Sequence, residues 1–203
     1  MSEKYGRTFH LPWSPGGTND DRRLSNVDHF LNVPIVGTEK VDASNFCMTR
    51  SDIFARSHAG APKHPSFDMA KQEHAKIAHL IPSGLSVFGE WCFAVHSIKY
   101  SALPGYFLVF GVRDDETGTW WSWDMVTYLA QELGLPTVPV LFEGIFTSAQ
   151  ELQAKVEALA ALPSACGGER EGVVVRLASG YANLEQGLGK HVRKNHVQTD
   201  EHW

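Results

Sequence analysis

The sequence of 203 residues lacks the features that mark membrane, secreted and disulfide-rich proteins. No apolar run approaches the ~20 residues that span a bilayer, and the N-terminus has no apolar segment typical of a secretory signal. The three cysteines are odd in number, widely separated and without a CxxC pair, which argues against a disulfide framework or a cysteine zinc site. We therefore expect one globular domain over 1–203, cytoplasmic and without a membrane partner.

An excess of basic charge is also missing. The net charge of -5 argues against a protein coated with nucleic acid, although one basic groove can be hidden inside an acidic average. Low-complexity tracts and internal repeats are absent as well. Because 43% of the residues are hydrophobic, a chain of this length can bury a core. Composition therefore predicts a folded protein and leaves its partner open.

Strand patterns are present in three places. Aromatic and β-branched residues predict neighbouring strands within 87–100 and 105–114, which could pair as a hairpin across the turn residues of "SALPG". A third strand is predicted over 171–177, after a turn at "CGGERE".

Helix signals lie between these strands. They predict helices over 148–162, with Ser148 and Glu151 as a capping box, over about 123–133, and over 67–80 with Ser66 as a possible cap. Residues 1–34 are rich in turn formers, which predicts an N-terminal arm or loop region. Grouped strands with helices between them predict an α+β fold.

Several charged residues fall in these apolar segments. A period of two puts Glu90 on the face of Phe88 and Cys92, and puts Glu171 on the face of Val173. A half-buried charge is costly unless it has a partner. These residues therefore need either each other or a ligand that supplies the missing charges.

Six segments, in this order, resemble the nucleotidyltransferase motifs of ATP-dependent RNA ligases. They are "EKVDASN" (39–45), "FARSHAG" (54–60), "FGEW" (88–91), "FLVFGVRD" (107–114), "EGVVVR" (171–176) and "KHVRKNH" (190–196). The tail "HVQTDEHW" is also similar to a signature of the phage T4 RNA ligase 2 group. One short motif would mean little, whereas six in the right order are a strong signal.

The resemblance implies a nucleotidyltransferase (adenylation) domain with mainly antiparallel sheets flanked by helices. It also implies a chemistry in three steps, with ATP and Mg²⁺ or Mn²⁺ as cofactors. Lys40 would take AMP from ATP, pass it to the 5'-phosphate of an RNA, and a 3'-hydroxyl would then displace AMP to seal the strand. Taken alone, Lys40 would more often be a surface lysine paired with Asp42 or Glu39.

The resemblance also assigns roles to other residues. Catalysis would involve Lys40 and Lys190, and Glu171 would hold the metal. Glu39 would contact adenine, Glu90 the ribose hydroxyls, and Phe110 would stack on the base. The remaining nucleotide contacts would come from Asn45, Arg56 and Arg193.

Two positions depart from the family pattern. Ala43 stands where the first motif usually has glycine, and Val192 stands where the last motif often has a second lysine. Arg193 could then reach the triphosphate and Lys194 the RNA backbone. We therefore place more weight on Lys190 than on its neighbours.

The chain stops at Trp203, directly after the last motif. DNA ligases and capping enzymes of similar chemistry usually carry an OB domain, so we expect an RNA ligase without a C-terminal OB domain. End recognition could then involve a partner protein. A non-catalytic nucleotide or RNA-end binder and an adenylyltransferase acting on another acceptor are the alternatives.

Overall fold

Two four-stranded antiparallel sheets form the framework of the protein. The structure, a computed structural model, describes residues 1–16 and 21–194. The first sheet has the strand order β6 (Val140–Gly144), β1 (Ile35–Lys40), β7 (Gly172–Leu177) and β8 (Leu188–Val192). The second has the order β3 (Ile53–Ala55), β2 (Ser44–Met48), β4 (Leu85–Trp91) and β5 (Phe107–Asp114). The predicted α+β class with mainly antiparallel sheets is therefore confirmed.

The bounds of the elements follow the chain order. They are β1 (Ile35–Lys40), β2 (Ser44–Met48), β3 (Ile53–Ala55), α1 (Asp68–Ile77), β4 (Leu85–Trp91), β5 (Phe107–Asp114), α2 (Trp123–Glu132), β6 (Val140–Gly144), α3 (Ala149–Ala160), β7 (Gly172–Leu177), α4 (Leu184–Gly187) and β8 (Leu188–Val192).

The strands β4 and β5 pair antiparallel, as the sequence predicts. The first of them is shorter than predicted, because it ends at Trp91 and a long loop follows. The carboxylate of Asp42 accepts hydrogen bonds from the backbone N–H groups of Ser97 and Ile98, at 3.0 and 3.2 Å. These bonds satisfy backbone donors that a strand would have used in the ladder.

The three predicted helices are present, with differences at their N-termini. Ser148 Oγ accepts the N–H of Glu151 at 3.2 Å, as in a capping box. The Glu151 carboxylate instead accepts the N–H of Thr147, so only half of the box forms. Ser66 does not cap α1, because it lies inside a 3-10 turn, Pro65–Phe67, that precedes the helix.

The alternation along β1 separates two environments. Val36, on the face of Lys40, packs with the core of the second sheet. Glu39 points the other way, because its register partner Val173 packs with Leu152 of α3. Lys40 therefore faces the space between the two sheets.

The N-terminal arm extends the edge of the first sheet. Leu11 N–H donates to the carbonyl of Lys190 and Lys190 N–H donates to the carbonyl of Phe9, both at 2.8 Å. The arm thus runs parallel to β8, beside Lys190. None of the helices within the described ranges is both long and apolar enough to cross a membrane. The tail signature, 196–203, lies outside the described residues.

Candidate active site

Lys40 and Glu171 meet where β1 ends and β7 begins. The Lys40 ammonium donates to both carboxylate oxygens of Glu171 at 2.6 Å. The Glu171 side chain is 1% exposed and that of Lys40 is 22% exposed, so solvent reaches the pair only from the lysine side. The prediction that Glu171 shares the face of Val173 is wrong, because Glu171 precedes the strand and its carboxylate turns to the opposite side.

The surroundings of Lys40 favour its charged form. Burial alone would lower the pKa of Lys40, but the carboxylates of Glu171, Glu90 and Asp42 outweigh burial, and the pKa is raised. A protonated amine has no lone pair to attack a phosphorus atom. Lys40 therefore rests as an ammonium, and it becomes a nucleophile only when a proton is removed and the carboxylate field weakens.

Glu90 faces the same space from the second sheet. It lies in β4 opposite Asn45 of β2. Burial raises the pKa of Glu90 to about 8; the Lys40 charge opposes this effect and Glu171 adds to it. Its Oε2 atom is buried and has no hydrogen-bond partner among the residues that the structure describes. Since unpartnered buried polar atoms are rare, this carboxyl group is suited to a ligand that brings hydroxyl groups.

Lys190 adds a second cation to the site. It lies on β8 opposite Val174, on the face that Lys40 shares, and its Nζ is 3.3 Å from Asp21 Oδ1 of the arm. Burial and the Lys40 charge lower its pKa, although Asp21 opposes this effect. We name Lys40, Glu171, Glu90 and Lys190 the intersheet site.

Not every predicted residue joins the intersheet site. Glu39 is 1% exposed on the α3 side of β1, where it accepts hydrogen bonds from Ser164 Oγ, Ala165 N–H at 2.9 Å and Arg170 Nε at 3.3 Å. Donors of this chain thus already surround its carboxylate. A direct role of Glu39 at adenine stays a prediction.

The two predicted arginines occupy different surroundings. Arg56 is exposed just after β3, near enough to Glu90 for its charge to lower the pKa of that carboxyl group. Arg193 lies beyond the end of β8, lines a cavity beside α3 and pairs with Glu169. The structure therefore brings Arg56, but not Arg193, towards the intersheet site.

The predicted stacking residue Phe110 sits in an aromatic cluster. Tyr5 of the arm contacts its ring edge-on, with centroids 5.1 Å apart, and also packs at 5.5 Å from Phe88 and 5.4 Å from Trp120. Tyr5 is a residue that sequence patterns missed, because a lone tyrosine in a turn-rich arm gives no periodic signal. The arm therefore contacts the aromatic residue at which the base is expected to stack.

A buried arginine joins the two sheets. Arg176 of β7 donates to the carbonyl of Phe110 in β5 and to Thr38 Oγ1 at 2.9 Å, and its guanidinium lies 4.7 Å from the Trp123 ring centroid. Burial lowers the pKa of Arg176. A charge in the apolar run "EGVVVR" was the signal that could have identified it.

The residues present fit one divalent cation only in part. Among the described residues, no group of three or more His, Cys, Asp or Glu side chains could hold a metal. Magnesium is usually bound by one or two carboxylates together with water and substrate phosphates. Glu171 could thus hold such an ion beside Lys40, provided that a phosphate substrate supplies further oxygens.

Comparisons with known proteins show that this chain is similar to RNA ligases. The family model described as RNA ligase matches residues 33–194. None of the curated proteins matches this chain significantly. The match therefore covers every segment of the intersheet site.

Solved structures with a similar fold include RNA ligases of Naegleria gruberi. A ligand-free variant has a TM-score of 0.62 at 15% identity, covering 82% of this chain and 51% of its own. A variant with ATP and Mn has a TM-score of 0.62 at 14% identity, covering 95% and 61%. A third, with AMP and Mn, has a TM-score of 0.61 at 16% identity, covering 83% and 52%. This chain therefore spans about half the length of these solved proteins.

Proposed function

This chain belongs to the RNA ligase family, and from that premise we propose that it is an ATP-dependent RNA ligase that works through a lysyl-AMP intermediate. The observation that carries the proposal is the contact of Lys40 with Glu171, 2.6 Å long and almost fully shielded on the carboxylate side. A structural ion pair does not need an unpartnered carboxyl group and a second cation facing it, yet Glu90 and Lys190 supply both.

The first step is the transfer of AMP from ATP to Lys40. After Nζ releases a proton to solvent, which reaches the partly exposed lysine, its lone pair forms a bond to the α-phosphorus. The bond to the bridging oxygen breaks as pyrophosphate departs with the electron pair. Lys190 neutralises the charge that grows on the phosphate oxygens. Glu90 accepts hydrogen bonds from the ribose hydroxyls, and Phe110 stacks on adenine.

Glu171 has two proposed roles, because it pairs with Lys40 in the resting site and would hold the metal when ATP binds. Glu171 would hold a divalent cation, which would supply charge neutralisation and a field that favours the neutral amine. With its carboxylate engaged in that way, Glu171 would no longer pair with the ammonium, and the main cause of the raised pKa of Lys40 would be removed. Support for ATP and Mn comes from the solved Naegleria gruberi RNA ligases that contain them.

Two transfers complete the proposed reaction. A 5'-phosphate oxygen of RNA attacks the lysyl-AMP phosphorus, and the P–N bond breaks with the electron pair returning to Nζ, which takes up a proton. The 3'-hydroxyl of RNA then attacks the 5'-phosphorus and releases its proton to solvent, and the bond to AMP breaks with the electron pair leaving on AMP. A partner protein for end recognition and a cytoplasmic location stay predictions.

Labelling tests the central step. The protein is incubated with α-labelled ATP and Mg²⁺ or Mn²⁺, and denaturing electrophoresis follows. We expect an acid-labile label in the wild type, none in folded Lys40→Ala, and normal labelling in the surface control Lys71→Ala. Undiminished label in Lys40→Ala, or none in folded wild type free of bound AMP, would contradict the proposal. Conversion of a 5'-phosphorylated RNA to its adenylylated form tests the acceptor.

A further inference from the structure

The cavity that Arg193 lines lies on the α3 face of the first sheet, away from Lys40. Its volume is about 290 Å³, and its wall includes Trp13, Pro15, Glu157, His191, Arg193 and Lys194. His191 is opposite Val173 in the sheet register, and Val173 packs with α3. The sheet itself therefore separates this cavity from the intersheet site; we name it the arm cavity, after the N-terminal arm that supplies Trp13.

Within the described part of the chain, three polar atoms of the lining have no hydrogen-bond partner. They are Trp13 Nε1, His191 Nδ1 and Arg193 Nε, all buried. The His191 side chain is only 4% exposed, so bulk water does not serve it. Buried donors are almost always satisfied, because the free energy of an unmade hydrogen bond is lost in full. Trp13 Nε1 and Arg193 Nε can only donate, and His191 Nδ1 can donate or accept. Around one cavity, these atoms point to a ligand that supplies acceptors.

The charges of the lining favour an acceptor that is anionic. Indole and guanidinium N–H groups can only donate, and Lys194 adds an exposed ammonium. Arg193 is also paired with Glu169 through its Nη2 atom, which fixes its guanidinium without using Nε. Glu157 is the carboxylate of the lining. The cavity therefore offers more donors and cations than acceptors.

The size of the cavity and its apolar wall further restrict the kind of ligand that fits. Cavities that hold small molecules usually measure about 300–1,000 Å³, so this one has room for a single small unit. Trp13 provides a planar aromatic surface, on which nucleic-acid bases stack without sequence preference. A planar, apolar group that carries an anion meets both requirements.

We propose that the arm cavity binds one nucleotide of an RNA strand, with its base against Trp13 and its phosphate at Arg193 and Lys194. The inference rests on the proposed function, which makes RNA the substrate. It adds a contact site on the face of the sheet opposite the reacting lysine. RNA held there extends the footprint of the strand around the edge formed by β8 and the arm.

Equilibrium binding of a fluorescent, 5'-phosphorylated single-stranded RNA tests the proposal. Trp13→Ala should weaken binding about tenfold through lost stacking, whereas Tyr128→Ala, which removes an aromatic that is 58% exposed on α2, should not. The binding constant falls as salt is added, and Lys194→Gln should make the slope of its logarithm against log salt concentration less steep by about 0.7. Lys155→Gln on α3 should leave this slope unchanged. The Lys194 variant keeps the test valid if Trp13→Ala fails to fold.

Labelling with α-labelled ATP on the same proteins separates the two proposals. We expect Trp13→Ala to accept AMP like the wild type, because the arm cavity lies outside the intersheet site. Wild-type RNA affinity in both Trp13→Ala and Lys194→Gln would overturn the arm cavity, as would displacement of RNA by an equal concentration of inorganic phosphate. RNA binding that depends on Trp13 in a protein that never accepts AMP would support the cavity and refute the ligase mechanism.

Discussion

The ion pair of Lys40 and Glu171 gives the most direct test of the intersheet site. The substitution Lys40→Met keeps the length of the side chain and removes the ammonium. It leaves the Glu171 carboxylate, 1% exposed, without its 2.6 Å partner. Removing one member of a buried pair costs about 3–5 kcal/mol, because a buried charge loses its compensation. Since 22% of the Lys40 side chain is exposed, we expect about 3 kcal/mol.

A double-mutant cycle isolates this effect. Adding Glu171→Gln removes the stranded charge, so the double variant should lie within about 1 kcal/mol of the wild type. Free energies of unfolding from urea titrations, in the presence of a metal chelator, give all four values. Lys71→Met is the matched control, because Lys71 and Asp68 also pair at 2.7 Å but are 41% and 61% exposed. Its cost should be about 0.5 kcal/mol or less.

The pH dependence of the cycle has a definite sign. Because the pKa of Lys40 is raised in the folded protein, its stabilising contribution is fully present below the ordinary lysine value of 10.5. It is lost only as the pH rises through the raised value. The coupling should thus be equal at about pH 7 and about pH 9. A Lys40→Met protein as stable as the wild type, or a coupling that vanishes by about pH 9, would refute this reasoning.

Two further predictions concern carboxyl groups. Burial raises the pKa of Glu90 from its ordinary 4.5 to about 8. Between these two pH values the folded protein retains a proton that the unfolded chain releases, so the free energy of unfolding falls as the pH rises. Between about pH 5 and about pH 8, the free energy of unfolding of Glu90→Gln should therefore rise by at least about 1 kcal/mol relative to that of the wild type. Urea unfolding measures both values, and a difference that does not change with pH would contradict the prediction. Asp42→Ala should speed amide hydrogen exchange at Ser97 and Ile98 at least about tenfold, because each loses its acceptor; unchanged exchange rates would show that the loop is held by other contacts.

The local patterns of the sequence identified the helices α1, α2 and α3, the strands β4, β5 and β7, and the fold class. Ser148 marks the start of α3 because a hydroxyl can serve the first free N–H groups of a helix, and this capping depends only on residues a few positions apart. The short apolar run in "EGVVVR", which follows a turn, likewise identified β7. These signals are local, and the tertiary structure did not override them.

The sequence indicated which residues belong to the intersheet site only through the order of the motifs. The lysine in "TEKVDASNF" was predicted to carry AMP from its resemblance to a family, not from any physical property of the stretch. Alternation even misled in one case, because Glu171 stands before its strand and turns to the opposite face. The position of a residue relative to the strand boundary decides the direction of its side chain, and a boundary is what a pattern defines least well.

Only the tertiary structure decided which charges meet. Lys40 and Glu171 are far apart in the chain, and their 2.6 Å contact exists because β1 and β7 pair side by side. The register of β8 then places Lys190 and His191 on opposite faces of one sheet, so that adjacent residues line the intersheet site and the arm cavity. Long-range pairing sets burial, and burial sets the cost of every charge. For this reason a sequence can name the charged groups while the fold alone determines their partners.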